Sequence, residues 1–121
     1  MEFDNNIPIY LQVIEAIKKD IVKGVLSLGD KLPSGRDLAF QYQINPNTAN
    51  RIYKELESQE ICFTRRGLGT FVTEDTIKLR SIKEEMANTL LEQFILGMKD
   101  LGFTKEELIE MLEKKYDEEE L

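Results

Sequence analysis

Apolar residues step through the start of the chain at three- and four-residue intervals. Ile9, Val13, Ile14, Ile17 and Ile21 fall on one side of a helix predicted from Pro8 to Lys23, which Gly24 ends. A second, shorter helix is signalled at Ser34, whose hydroxyl suits a cap, with Asp37 three residues later in a capping-box-like pair. Leu38, Ala39 and Tyr42 give it an apolar side, and Ile44 closes the turn that follows. Asn45-Pro46 then opens a third helix, predicted from Pro46 to Gln59, because Asn caps and Pro at the first helical position loses no needed hydrogen bond.

In that third helix Ala49, Ile52, Tyr53 and Leu56 form the stripe expected to pack inward. Asn47, Arg51, Lys54 and Ser58 lie opposite, flanked by Thr48 and Asn50, with no carboxylate before Glu55. The pattern then changes from a helical to a two-residue period. Ile61–Thr64 and Thr70–Val72 read as short strands around Arg65-Arg66-Gly67-Leu68-Gly69, whose glycines permit a tight reversal. Helix, turn, helix and a Gly-tipped ribbon with basic residues at its turn form the plan of a winged helix-turn-helix. Its third helix is suited to a DNA groove, and its ribbon to a phosphate backbone or the minor groove.

From Thr76 the helical period returns. Leu79, Ile82, Met86, Leu90, Phe94 and Met98 step by three or four, widened by Leu91, Ile95 and Leu101, until Gly102 breaks the run. Thr104-Lys105-Glu106-Glu107 is a capping box that opens a last helix with Leu108, Ile109, Met111, Leu112 and Tyr116 apolar. Asp117-Glu118-Glu119-Glu120 reads as a frayed, solvated end. A helical hairpin of this length cannot cover so much apolar surface by itself. The expected cover is the same hairpin of a second copy, in a twofold contact through Leu79, Ile82, Met86, Leu90, Phe94, Met98, Leu108 and Leu112. The fold class is thus mainly α with a small β-wing: residues 1–73 as a winged helix-turn-helix domain, and residues 74–121 as a helical dimerisation region that is also the place for any effector.

Charge changes the picture only after it is divided. The chain of 121 residues carries a net charge of −7. Residues 1–73 hold nine basic and nine acidic residues, and residues 74–121 hold seven and fourteen, so the acidic excess lies wholly in the C-terminal part. Over residues 31–73 the count is six basic to four acidic. Local sign at the groove-facing surface decides compatibility with DNA. One cysteine and no histidine exclude an intrachain disulfide and a Cys/His metal site, and no cofactor is expected. No constellation of base and nucleophile suggests an enzyme. The start, MEFDNNIP, has no secretory pattern and no apolar run reaches membrane-spanning length, so a cytoplasmic location without membrane contact is expected.

The segments PIYLQVIEAI, GDKLPSGRDLA, NPNTANRIYKELE and RRGLGTFV resemble the GntR family of bacterial transcription regulators over about residues 8 to 73. The Asn-Pro-Asn-Thr opening and the short remainder after Thr73 are similar to the YtrA branch. The resemblance implies a sequence-specific DNA-binding regulator, expected here as a homodimeric repressor of an operon, in relatives often transport-related and responsive to small molecules or cell-envelope stress; the sequence itself shows no effector site. It implies Arg36 as a phosphate contact, the first turn of the third helix as the base reader, and Gly69 at the wing. Pro46 stands where many relatives have an Arg, so a base contact carried by that Arg does not transfer; Gly35 replaces a larger residue before Arg36.

The candidate DNA-binding set is therefore Ser34, Arg36, Asn45, Asn47, Thr48, Asn50, Arg51, Lys54, Arg65, Arg66, Gly67 and Gly69. Asn pairs with adenine, Thr meets a thymine methyl, and Arg forks onto guanine or holds a phosphate. Asn47 and Thr48 are expected at bases, and Arg51 at either a base or a phosphate. Twofold symmetry would then demand double-stranded DNA with inverted half-sites about one helical turn apart. The competing readings are a winged helix used only for protein interaction and a small metabolite-binding protein without DNA specificity.

Overall fold

A computed structural model describes residues 2–119. Its elements run α1 (Ile9–Lys23), α2 (Gly35–Tyr42), α3 (Pro46–Ser58), β1 (Cys62–Arg65), β2 (Gly69–Val72), α4 (Thr76–Asp100) and α5 (Lys105–Glu119). The chain divides into two compact units between Lys83 and Glu84, so the start of α4 belongs to the first.

In the first unit α1 and α2 both pack on α3. The core comprises Val13, Ile14, Ile17 and Ile21 of α1, Leu38 and Ala39 of α2, and Ala49, Ile52 and Leu56 of α3, with Leu32, Ile61, Cys62 and Val72. Ile9, expected in the inward stripe, is 45 % exposed because it stands at the first position of α1, before the helix meets its neighbours. Gly24 ends α1 in the left-handed conformation with φ 82°, which glycine adopts without a Cβ penalty.

β1 and β2 pair antiparallel, with Phe63 opposite Phe71, Thr64 opposite Thr70 and Arg65 opposite Gly69. The segment before α2 adds an isolated β-bridge on the other side of β2. Lys31 bridges Phe71, the Leu32 N–H donates to Thr70 O at 2.8 Å, and the Val72 N–H donates to Asp30 O at 2.8 Å. No local periodicity in this stretch signals the pairing. Its pairing with a strand some forty residues away covers part of the β2 edge, while β1 packs on α3.

In the second unit, Thr104 and Glu107 form the expected reciprocal capping box: the Thr104 N–H donates to Glu107 Oε1 at 3.0 Å, and the Glu107 N–H to Thr104 Oγ1 at 3.2 Å. Gly102, at φ 88°, lets the chain leave α4. α5 continues to Glu119, so the acidic stretch is helical through that residue; Glu120 lies outside the described residues. α4 and α5 make almost no close backbone approach to each other, and no described side chain of α5 is buried.

Candidate nucleic-acid interface

The third helix is opened by its own sequence. Asn45 Oδ1 accepts the Asn47 N–H at 2.8 Å, and Pro46 takes the first helical position. Ser34 does the same for α2, accepting the Asp37 N–H at 3.1 Å. Both residues stood among the candidate DNA contacts. The structure occupies their side-chain oxygens in capping, leaving Asn45 its amide N–H groups and Ser34 its hydroxyl proton for a ligand.

With Ala49, Ile52 and Leu56 fully inward, the helical period turns Asn47, Asn50, Arg51 and Lys54 outward, all exposed, while Thr48 is half-buried. Arg36 on α2 is exposed. At the wing Arg65 and Arg66 are exposed, with the Arg65 guanidinium 5.4 Å from the Phe63 ring centre. The Leu68 N–H donates to Arg65 O at 2.9 Å, closing a turn whose third residue, Gly67, has φ 79°. That conformation favours glycine, and it keeps the tip narrow.

Two residues that the sequence did not single out tie these parts together. Glu57 Oε1 accepts the Thr64 N–H at 3.1 Å, joining α3 directly to β1. Lys31 is exposed and lies across Gly69: a Cβ there would stand 2.9 Å from Lys31 Cε. Lys31 therefore adds a cation to the groove between α3 and the wing, which Ser34, Asn50, Lys54, Thr64 and Thr70 also line. The places of Lys31 and Glu57 both depend on pairings across the chain, which no local pattern signals.

Tyr53 is half-buried and its hydroxyl donates to Pro33 O, fixing α3 against the chain leading into α2. Burial pushes its phenol above the ordinary tyrosine range, with the neighbouring Cys62 adding to the shift, so it remains a donor. Cys62 is itself buried, its Sγ 3.9 Å from Tyr53 O, and burial followed by the nearby Glu57 charge pushes the thiol up to about 12. A neutral, enclosed thiol is a packing group, with no access for redox chemistry.

Among the predicted interface residues of the C-terminal part, Leu90 is 68 % and Leu112 53 % exposed, and Phe94 is also exposed. Leu79, Met86, Met98 and Leu108 are half-buried. Ile82 is corrected: at 2 % exposure it is enclosed within the chain and falls in the first unit, so it has no surface to offer a second copy.

Residues 9–72, over half of the chain, match the family described as bacterial regulatory proteins, gntR family. The chain belongs to this family. It is 44 % identical over 109 residues to the uncharacterized HTH-type transcriptional regulator YhcF of Bacillus subtilis, covering 90 % of each chain. It is 39 % identical over 97 residues to the HTH-type transcriptional repressor YtrA of the same organism, covering 75 % of each. A solved GntR family transcriptional regulator from Listeria monocytogenes superposes with a TM-score of 0.87 at 42 % identity, covering 93 % of this chain and 98 % of that one. The chain is thus a DNA-binding transcription regulator of the GntR family, similar to the YtrA branch, with the winged helix followed by a helical C-terminal part. No described helix is long and apolar enough to cross a membrane.

Proposed function

We propose that this GntR regulator is a cytoplasmic homodimeric repressor that binds an inverted-repeat operator and releases it in response to a small-molecule effector. The observation that carries the reading is the outward face of α3. Asn47, Asn50, Arg51 and Lys54 are all exposed there, with no carboxylate in the first two turns and the wing arginines on the adjacent ribbon. Asn47 and Thr48 read bases, Arg36 and Lys54 hold phosphates, and Arg65 and Arg66 follow the backbone beside the minor groove. Repression follows the YtrA relative, which is named as a repressor.

The exposed apolar side chains of α4 and α5 support the dimer. Leu90, Leu91, Leu96, Leu101, Leu112 and Tyr116 are each more than half exposed, and such a concentration needs cover. A second copy is the partner that supplies a matching surface, and it doubles the phosphate contacts of a half whose net charge is zero. Fluorescence anisotropy with DNA from upstream of the protein's own operon tests the reading, using scrambled competitor and a salt series. A preference of about a thousandfold or more with a steep salt slope is expected. Equal weak binding to both duplexes, repeated with sequences selected from a random pool, would reject operator recognition.

A further inference from the structure

Tyr10 of α1 reaches the recognition helix. The Arg51 Cζ lies 3.7 Å from the centre of the Tyr10 ring, close enough for the guanidinium to be held over the ring face. Among the described residues Arg51 has no carboxylate partner, so the aromatic ring is what holds it. The chain that leads into α1 is braced as well. The Gln12 side-chain amide donates to Asp4 O and Ile7 O at 2.8 Å each and accepts the Asp4 N–H at 2.8 Å, fixing the chain just ahead of α1. α1 in turn packs on α3.

We propose that Tyr10 is a positioning residue for DNA binding: it holds the Arg51 guanidinium at the α1 flank of the recognition helix, poised for a backbone phosphate. A guanidinium over a ring keeps its N–H donors at the edge, where a phosphodiester oxygen accepts them. Its place toward α1, off the axis of the outward face, puts it where a major-groove helix meets the strand backbone, while Asn47 and Asn50 remain toward the bases. Holding the side chain before binding reduces the rotamer freedom lost on contact. This inference rests on the reading that the α3 face meets DNA.

The test uses the full chain with a duplex selected by the wild-type protein from a random pool, and the variants Tyr10→Phe, Tyr10→Leu, Arg51→Ala and Tyr10→Leu/Arg51→Ala. Tyr10→Leu should weaken binding about two- to fivefold, the scale of an exposed cation–π contact. Tyr10→Phe should bind as wild type. Arg51→Ala should lower the salt slope by about one with the base preference unchanged, and the double variant should match Arg51→Ala alone. Unchanged or tighter binding by Tyr10→Leu, or losses that multiply in the double variant, would overturn the proposal.

If Tyr10→Leu folds poorly, the free wild-type protein decides by NMR. Arg51 side-chain protons should be shifted by the Tyr10 ring current, and unshifted resonances would overturn the proposal. Wild-type specificity with no loss in Arg51→Ala rejects this inference and leaves operator binding standing. A wild-type chain without any sequence preference rejects both.

Discussion

The side-chain oxygen of Asn50 stands 2.6 Å from the point that a Cβ on Gly35 would occupy. The missing side chain at the first position of α2 is therefore what allows Asn50, on the outward face of α3, to lie against the neighbouring helix. Gly35→Ala should leave the protein equally stable or more stable, by up to about 1 kcal/mol, because alanine is the better helix residue and the obstructing atom is the end of a flexible side chain. Asn50 must then swing outward, and sequence preference should change at the base pair beside it. A raised melting temperature with an altered selected sequence is the expected pair of results. Unaltered preference would show that Asn50 has no part in readout.

Gln43 and Glu60 occupy the left-handed region, with φ of 55° and 61°. Each reverses the chain after a helix: Gln43 inside the helix-turn-helix and Glu60 between α3 and β1. Side chains with a Cβ are strained there and glycine is not. Glu60→Gly should raise stability by about 0.5–1 kcal/mol in urea unfolding, and removing a carboxylate beside Glu57 and Asp75 acts in the same direction. Gln43→Gly should behave similarly while leaving the operator affinity intact. A loss of stability in both would mean that these side chains make stabilising contacts.

The thiol of Cys62 gives a pH signature. Its ordinary value of 9.0 is pushed up to about 12, chiefly by burial. Folding therefore favours the protonated thiol. The contribution is fully present below pH 9 and is lost as pH rises from about 9 towards 12. At pH 8 a thiol reagent should modify native Cys62 far more slowly than the same residue in denaturant. Rapid labelling of native protein would place the sulfur nearer the surface than its burial indicates.

Most of the first unit was legible because its signals are local. The Ser34 and Asn45 caps, the inward stripe of Ala49, Ile52 and Leu56, and the Gly67 turn each depend on residues within a few positions. The Thr104–Glu107 capping box was readable for the same reason. What escaped depends on distance along the chain. The bridge at Lys31 exists only once β2 lies beside it, and the Tyr10–Arg51 contact joins α1 to α3 across forty residues of sequence. The enclosure of Ile82 shows the reverse error: its four-residue spacing with Met86 and Leu90 suggested one continuous outer stripe. The start of α4 instead lies in the first unit, so one apolar row serves two different surroundings.

The C-terminal helices offer a test of assembly that leaves folding alone. Leu90 is 68 % exposed in the isolated chain, so a polar replacement there should change stability by no more than about 0.5 kcal/mol. In a twofold contact the same replacement acts twice and buries a charge from each copy, at an effective cost of several kcal/mol per ion. Leu90→Asp should therefore keep its helical spectrum and melting profile as a monomer while weakening self-association at least about a hundredfold. Sedimentation over a concentration series reads that shift. Operator binding should follow, because a single half-site domain of zero net charge loses the partner's phosphate contacts. Gln93→Asp, an equally charged change at another exposed position of α4, is the control for charge alone. A Leu90→Asp chain that sediments as wild type and binds the full inverted repeat as tightly would put the dimer contact elsewhere on the molecule.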